Sequence, residues 1–188
     1  MMRRTASNRA RTAFGAVGSS AAIIAAALAL AACSSPQSQP GQARQSAASP
    51  SSGQLGATLA VSNSSGTKLD VTVEKVIDPA SGASQYSQPA SGQHFVGVKL
   101  RLQNTAPTSY QNNANNEATI VLSDGKTKDA GYDPIEGCGN FDNGQVKLAS
   151  GSSATGCVTF QVPNGETVAK VRYGSTVFPG TTAEWSLP

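Results

Sequence analysis

The sequence contains few of the side chains that most enzymes use for acid–base catalysis or metal binding. Histidine occurs once, at His94, and cysteine three times in 188 residues. The Gly-x-Ser-x-Gly, His-Glu-x-x-His and phosphate-loop patterns are absent, as is the spacing of paired catalytic carboxylates. Because general acid–base catalysis and zinc sites depend on such groups, the sequence predicts no enzyme activity, no metal site and no cofactor.

Positive charge is scarce after the N-terminus. Four of the 14 basic residues are Arg3, Arg4, Arg9 and Arg11, and the chain after them carries 10 Lys and Arg against 11 Asp and Glu. Binding to a nucleic acid needs a basic patch that neutralises phosphates. The sequence therefore predicts no nucleic-acid partner.

The N-terminal segment has the pattern of a bacterial export signal. Its arginines precede an alanine-rich apolar stretch that is too short for a confident membrane span. The stretch ends in Leu30-Ala31-Ala32-Cys33, which resembles the lipobox of bacterial lipoproteins. That resemblance implies that residues 1–32 are a signal peptide, that the Cys33 thiol is diacylglycerylated, and that the new N-terminus is acylated.

Two acyl chains would anchor the protein to the outer face of the cell membrane, because each buried methylene contributes about 0.8 kcal/mol. We therefore predict an extracytoplasmic, lipid-anchored location. An uncleaved membrane anchor is the alternative, and it would also leave Cys33 near the bilayer. Arg3 and Arg4 lack the apolar residues that normally follow a twin arginine, so the general secretory route is favoured over twin-arginine export.

The segment after Cys33 has the composition of a tether. Residues 34–54 are mostly Ser, Gln, Ala, Pro and Gly with one charged residue, and they cannot bury enough apolar surface to fold. A flexible segment of this length reaches about 25 Å. We predict that residues 33–54 form a flexible tether and that residues 55–188 form one folded domain.

The predicted domain has the period of two that is typical of β-strands. Its clearest strand has Val96, Val98, Leu100 and Leu102 on one face. Similar runs occur at residues 55–61, 69–77, 118–122, 126–132, 145–148, 158–162, 168–173 and 182–187. Glycine, proline and asparagine turns separate them, so we predict an all-β fold, an antiparallel sandwich or barrel of eight or nine strands.

Three segments carry a resemblance to a known family. They are Gly92-Gln93-His94-Phe95-Val96-Gly97-Val98-Lys99-Leu100, Leu122-Ser123-Asp124-Gly125-Lys126, and Thr155-Gly156-Cys157-Val158-Thr159-Phe160-Gln161-Val162-Pro163. Their order resembles the exported-lipoprotein family called domain of unknown function 4352. The resemblance implies an immunoglobulin-like β-sandwich, similar in fold to the mycobacterial immunoprotective extracellular antigen. It brings no catalytic residues.

The other two cysteines are an even pair. With Cys33 assigned to the lipid, Cys138 and Cys157 fit one disulfide in an oxidising compartment. The apolar alternation that starts at Val158 places Cys157 on the outward face of its strand, so the bond would fasten residues 131–144 against the outside of the sandwich. The alternative is a metal-binding or catalytic thiol, which would require neighbouring His or further Cys.

Two irregular segments, 104–117 and 131–144, are candidate binding surfaces, because long loops on a rigid sandwich often bind partners. Tyr110 lies in the first, and Tyr132 and Phe141 lie in the second. Aromatic anchors of this kind dominate interface energies. We predict a binding or interaction module at the cell surface with a protein or glycan partner. The alternative is a structural or assembly module of the cell envelope with no small ligand.

Acidic residues are concentrated in one part of the chain. Five of the eleven fall within 19 residues, namely Asp124, Asp129, Asp133, Glu136 and Asp142. Carboxylates in a loop can bind calcium, but this spacing differs from that of a calcium-binding loop. A solvated loop face is therefore favoured over a metal site.

Two further side chains have structural interpretations. His94 begins the clearest strand and is favoured as a surface residue over a catalytic base, since no partner is evident. Trp185 shares a face with Ala183 and Leu187 in the last strand and is predicted to pack in the core rather than stack on a ligand.

Overall fold

A computed structural model describes residues 51–174 and 180–188. These ranges contain eleven strands and one short helix. The elements are β1 (Ser51–Gln54), β2 (Thr58–Ser62), β3 (Lys68–Ala80), β4 (Gln93–Asn104), β5 (Tyr110–Asn113), α1 (Ala114–Glu117), β6 (Ala118–Leu122), β7 (Thr127–Asp129), β8 (Gln145–Leu148), β9 (Ser153–Pro163), β10 (Val168–Tyr173) and β11 (Ala183–Ser186). The predicted all-β fold is confirmed.

The strands form an immunoglobulin-like sandwich. One sheet has the order β1-β11-β10-β6-β7 and the other the order β2-β3-β4-β9, while β5 and β8 form a separate pair. All pairings are antiparallel except that of β1 with β11, which is parallel. The two strands beyond the predicted nine are β1 and β5, whose polar sequences contain no alternating apolar pattern.

Strand β1 corrects the predicted boundary between tether and domain. It lies in the segment assigned to the tether, yet it pairs with β11 in a register that runs from Ser51 opposite Ala183 to Gln54 opposite Ser186. The amide of Ala57 donates to the carbonyl of Gln54 at 3.0 Å and closes the turn that leads to β2. The folded domain therefore begins no later than residue 51, instead of residue 55. Cys33 and the leader lie outside the described residues.

The core follows the predicted alternation. Val96, Val98, Leu100 and Leu102 of β4 are fully buried, and equivalent positions of the other strands pack against them. Burying one such side chain stabilises the fold by about 1.5–3 kcal/mol. Trp185 is 0% exposed, and its indole N–H donates to the carbonyl of Ala57 at 2.7 Å. The predicted core position of this tryptophan is confirmed.

A second, smaller hydrophobic cluster lies outside this main core. It consists of Phe95, Ile135, Cys138 and Cys157, all of which are buried. Cys138 and Cys157 form a disulfide with 5.7 Å between their Cα atoms. Residues 131–144 therefore cover the outward face of β4 and β9, and both the predicted pairing and the predicted outward direction of Cys157 are confirmed. Within the described ranges, no helix is long and apolar enough to cross a bilayer.

Candidate functional surface

Tyr110 lies in the core and not on the surface. Residues 104–117, which we predicted to be irregular, contain β5 and α1, and β5 places Tyr110 opposite Leu148 of β8. Tyr110 is 7% exposed, and its hydroxyl lies 3.5 Å from that of Tyr173. Burial raises the pKa of both phenols, that of Tyr173 the more strongly. The expectation of a surface anchor fails here because pairing with β8 turns the ring inward.

The prediction that Phe141 is a surface anchor is also wrong. Its ring is 8% exposed and belongs to the main core. The ring lies over Gly156 of β9, where a Cβ atom would be only 2.8 Å away. The amide of Cys157 donates to the carbonyl of Gly139 at 2.9 Å and holds this part of the chain on β9. Phe141 therefore packs against the sandwich and does not present its ring to a partner.

Tyr132 does lie on the surface. It is 49% exposed, and its hydroxyl donates to Oδ1 of Asn116 in α1 at 3.3 Å. Asn115 of the same helix donates from Nδ2 to the carbonyl of Gly131 at 2.8 Å. These bonds fix the position of Tyr132, so one of the three predicted aromatic anchors is available for contact.

Tyr86 was not among the predicted anchors, and it is 88% exposed. It lies between β3 and β4 in residues 81–92, hereafter the first loop; residues 131–144 are the second loop. The available signal was that Tyr86 is one of the few aromatic residues of the chain and lies in a Ser-, Gln- and Gly-rich connection. Of the residues that the structure describes, the large exposed hydrophobic side chains are Leu55, Tyr86 and Tyr132.

The two loops are hydrogen-bonded to each other at Pro134. Its carbonyl accepts from the amide of Ala83 at 3.0 Å and from Oγ of Ser87 at 2.6 Å. The amide of Glu136 also donates to the carbonyl of Ser81 at 2.8 Å. The first loop therefore has a fixed position on the second.

Gln161 joins both loops to the sheet beneath them. It lies on the outward face of β9, donates from Nε2 to Oδ2 of Asp133 at 3.1 Å, and accepts from the amide of Ala90 at 3.0 Å. One side chain thus holds one residue of each loop. Together with the disulfide, these contacts fasten both loops to β9.

The surface formed by Tyr86, Pro134 and Tyr132 is hereafter the tyrosine ridge. Pro134 is exposed, follows Tyr132 by two residues, and accepts hydrogen bonds from Ala83 and Ser87 on either side of Tyr86. Asp133 and Glu136 flank the proline in sequence, and neither loop contains Lys or Arg. The ridge therefore combines apolar and aromatic groups with negative charge.

His94 forms a polar cluster at one end of the sandwich. Its Nε2 lies 3.0 Å from Oδ1 of Asp78, and its Nδ1 lies 3.4 Å from Oδ1 of Asn164. These contacts join the ends of β3, β4 and β9. Within the described ranges, no Ser, Thr or Cys side chain hydrogen-bonds to His94, so the structure supplies an acid beside the imidazole but no nucleophile.

Two cavities of the domain are lined by residues other than His94. A groove of about 350 Å³ is lined by Phe141, Asp142, Gln145, Val146, Lys147, Ala154 and Thr155. A pocket of about 70 Å³ is lined by Ser65, Gly66, Thr67, Asn104, Ala106, Thr108, Ser109 and Tyr110. Neither lining brings a nucleophile together with a histidine base, which acyl-transfer chemistry of the Ser-His type requires.

The five acidic residues between positions 124 and 142 do not gather into one site. Asp124 contacts Nζ of Lys126 at 2.6 Å and accepts from the amide of Lys126 at 2.9 Å, which lowers the pKa of the Asp124 carboxyl. Throughout residues 51–174 and 180–188, no three His, Cys, Asp or Glu side chains lie close enough to share a metal ion.

Comparison with known proteins identifies the family. Residues 61–183 match the family described as Domain of unknown function (DUF4352). The chain is a member of this family. No curated protein sequence gives a significant match.

One solved structure shares the fold of this DUF4352 domain, and two others align with lower scores. MPT63, a secreted protein from Mycobacterium tuberculosis, aligns with a TM-score of 0.52 at 17% identity, over 74% of this chain and 98% of its own. A β-sandwich protein from Clostridium difficile 630 aligns with a TM-score of 0.45 at 9% identity, over 73% and 94%. YcdA of Bacillus subtilis aligns with a TM-score of 0.47 at 12% identity, over 71% of this chain and 39% of its own.

The DUF4352 match contains the tyrosine ridge and the disulfide but not β1 or Cys33. Both loops lie between residues 61 and 183, whereas β1 and the predicted lipidation site precede residue 61. The candidate surface is thus part of the family domain, and the predicted anchor is a separate N-terminal feature.

Proposed function

We propose that this protein is a lipid-anchored interaction module outside the cytoplasm, with the tyrosine ridge as its partner-binding surface and without catalytic activity. The observation that carries the proposal is the exposure of Tyr86 and Tyr132 on two loops that hydrogen bonds hold in place. A large aromatic side chain that remains in water does not gain the favourable free energy that its burial would give. A fixed, exposed pair on neighbouring loops is therefore best explained by a partner that covers it.

The rigidity of the loops supports binding over a passive connection. Ordering a flexible loop upon association costs about 0.5–1.5 kcal/mol for each immobilised side chain. The bonds to Pro134 and Gln161 have already fixed the backbone beneath both tyrosines. Tyrosine adds large contact area at low entropic cost and is enriched among the residues that dominate interfaces.

The location outside the cytoplasm is supported by the cysteines. A disulfide persists in an oxidising compartment, and Cys138 and Cys157 are joined in the fold. The lipobox ending at Cys33 supplies the anchor, and β1 starts at Ser51, which leaves a short polar segment between lipid and domain.

The absence of catalysis is supported by the surroundings of His94. Its ring contacts Asp78 and Asn164 and lies outside both described cavities. A general base must reach the proton that it abstracts from a bound substrate. The contacts of His94 instead join three strand ends, which is a structural role.

The anchor is tested by Cys33→Ser. We expect the variant to be released from the membrane or to remain as an uncleaved precursor, and the unmodified protein to partition into detergent. Mass spectrometry of the N-terminal peptide should detect the lipid on Cys33. Identical detergent partitioning of both proteins would contradict the proposed anchor.

The binding surface is tested by crosslinking in cells. A photoreactive amino acid replaces Tyr86, Tyr132 or, as the matched control, Leu55, which is exposed but outside both loops. We expect one discrete crosslinked partner from the two tyrosine positions and none from Leu55. Equal or absent crosslinking at all three positions would overturn the proposed surface and favour a structural module of the envelope.

A further inference from the structure

We infer that the tyrosine ridge binds an arginine-bearing polypeptide segment, an inference that rests on the proposed function and names its partner. The first loop contains no charged residue, and the second contains Asp133, Glu136 and Asp142 with no Lys or Arg. The exposed aromatic surface therefore has a negative border. Charge complementarity selects a positively charged partner for it.

Of the two acidic residues near Pro134, Asp133 is held by its carboxylate and Glu136 by its backbone. Oδ2 of Asp133 accepts from Gln161, and the backbone of Glu136 is bonded to Ser81 in the first loop. Asp133 directly follows Tyr132 in the chain, and the side chain of Glu136 is exposed. A cation that binds at Tyr132 therefore has a carboxylate on the neighbouring residue.

Two lysines lie opposite each other on neighbouring strands of the sheet, Lys75 on β3 and Lys99 on β4. Lys99 lies on the outward face of β4 opposite Cys157, and its Nζ is 3.2 Å from a carboxylate oxygen of Glu74. The chain beyond its first 11 residues is close to neutral, with 10 basic against 11 acidic residues. Attraction for a cationic ligand therefore depends on the local acids of the second loop, since the net charge of the chain is small and salt screens more distant charges.

The combination of tyrosine rings with carboxylates favours arginine over lysine. A guanidinium is planar, stacks on an aromatic face, and binds a carboxylate through two parallel hydrogen bonds. A lysine ammonium offers a strongly hydrated point charge and no stacking plane. Neutral glycans can stack on tyrosine, but they gain nothing from the negative border.

A titration followed by NMR tests this inference. The Cys33→Ser protein, purified from the exported fraction with its disulfide intact, is titrated with hexa-arginine, hexa-lysine and the neutral sugar chitohexaose. We expect hexa-arginine to shift the ring signals of Tyr86 and Tyr132 and to bind several-fold more tightly than hexa-lysine. Raising NaCl from about 0.05 to about 0.5 M should weaken hexa-arginine binding at least tenfold.

Variants distinguish binding at the tyrosine ridge from nonspecific electrostatic attraction to the protein. Tyr86→Ala and Tyr132→Ala should each weaken hexa-arginine binding about fivefold. Glu136→Gln should weaken it and flatten its salt dependence. The controls are Leu55→Ala and Asp129→Asn, which remove an exposed apolar group and an exposed carboxylate that lie outside both loops. Both controls should bind as the parent does, and melting curves should show that all variants are folded.

The outcomes distinguish this inference from the proposed function. Failure of hexa-arginine to shift Tyr86 or Tyr132, or equal weakening by Asp129→Asn and Glu136→Gln, would overturn the inference. If the crosslinker at Tyr86 still captures one partner in cells, the proposed function stands and only its partner chemistry is wrong. Shifts caused by chitohexaose alone would replace the polypeptide with a glycan.

Discussion

Ile135 fills the space above Gly97 that a side chain at position 97 would occupy. Gly97 lies on the outward face of β4, and a Cβ atom there would overlap Cδ1 of Ile135. Phe95 lies two residues earlier on the same face and belongs to the same buried cluster as Ile135. Because Gly97 has no side chain, Ile135 can pack directly on β4, and this contact holds the second loop on the sheet.

Gly97→Ala should loosen this contact. Because Ile135 must shift to admit the methyl group, we expect a loss of about 1–3 kcal/mol in the free energy of unfolding, measured with urea. The matched control is Gly139→Ala in the second loop, where a Cβ would meet no atom within 4 Å. An equal loss in both variants would contradict the role assigned to Gly97.

Removing the disulfide should weaken the fold without abolishing it. Cys138 and Cys157 are 19 residues apart, and a loop of that length corresponds to about 3 kcal/mol in the chain-entropy account. We expect the Cys138→Ser, Cys157→Ser double variant to melt at a lower temperature in a cooperative transition, since the main core does not include the bond.

Oxidation is checked by intact mass. The exported protein should weigh about two mass units less before reduction than after it, as one disulfide requires. Two thiols that react with an alkylating agent before reduction would contradict the bond. The double variant should also weaken partner capture through Tyr132, because the second loop loses its covalent fastening.

Replacing tyrosine and phenylalanine residues by alanine should show which rings lie in the core and which lie on the surface. Tyr110→Ala and Phe141→Ala should each cost about 3–5 kcal/mol of stability, because both rings are buried. Tyr86→Ala and Tyr132→Ala should change stability by about 0.5 kcal/mol or less. A small effect of Tyr110→Ala on the urea midpoint would place its ring outside the core.

The sandwich could be predicted because its long strands carry their own signal. The alternation of Val96, Val98, Leu100 and Leu102 specifies a strand with one buried face, and the structure confirms it. Strands β1 and β5 could not be found in this way. Their polar sequences are extended only because β11 and β8 offer backbone hydrogen bonds, and that partnership is a property of the tertiary fold.

The candidate surface was only partly predictable for the same reason. Aromatic residues in connections suggested anchors, but burial depends on contacts such as the pairing of Tyr110 with Leu148 that the local sequence does not encode. The approach of Tyr86 to the second loop depends on the carbonyl of Pro134, which is 48 residues away along the chain. The disulfide, by contrast, could be predicted from the cysteine count. With Cys33 assigned to the lipid, Cys138 and Cys157 are the two that remain.

Two glutamates should give stability opposite dependences on pH. Burial raises the pKa of Glu117 above its ordinary value of 4.5, although Nδ2 of Asn112 donates to its Oε1 at 2.8 Å. Hydrogen bonds from Lys170 and Arg172, both at 2.7 Å, lower the pKa of Glu184. The stabilising contribution of Glu117 is present below pH 4.5 and is lost as pH rises through its raised pKa. The stabilising contribution of Glu184 is present above pH 4.5 and is lost as pH falls through its lowered pKa.

Glu117→Gln and Glu184→Gln should therefore diverge between about pH 3 and about pH 7. Glutamine at position 117 removes a half-buried charge, so the variant should gain stability relative to the parent as pH rises. Glutamine at position 184 keeps the shape but loses two charge-assisted bonds to partly exposed partners, so the variant should be about 1 kcal/mol less stable at neutral pH. That deficit should shrink toward acid. Urea unfolding at a series of pH values measures both differences, and parallel curves for the two variants would contradict the opposite shifts.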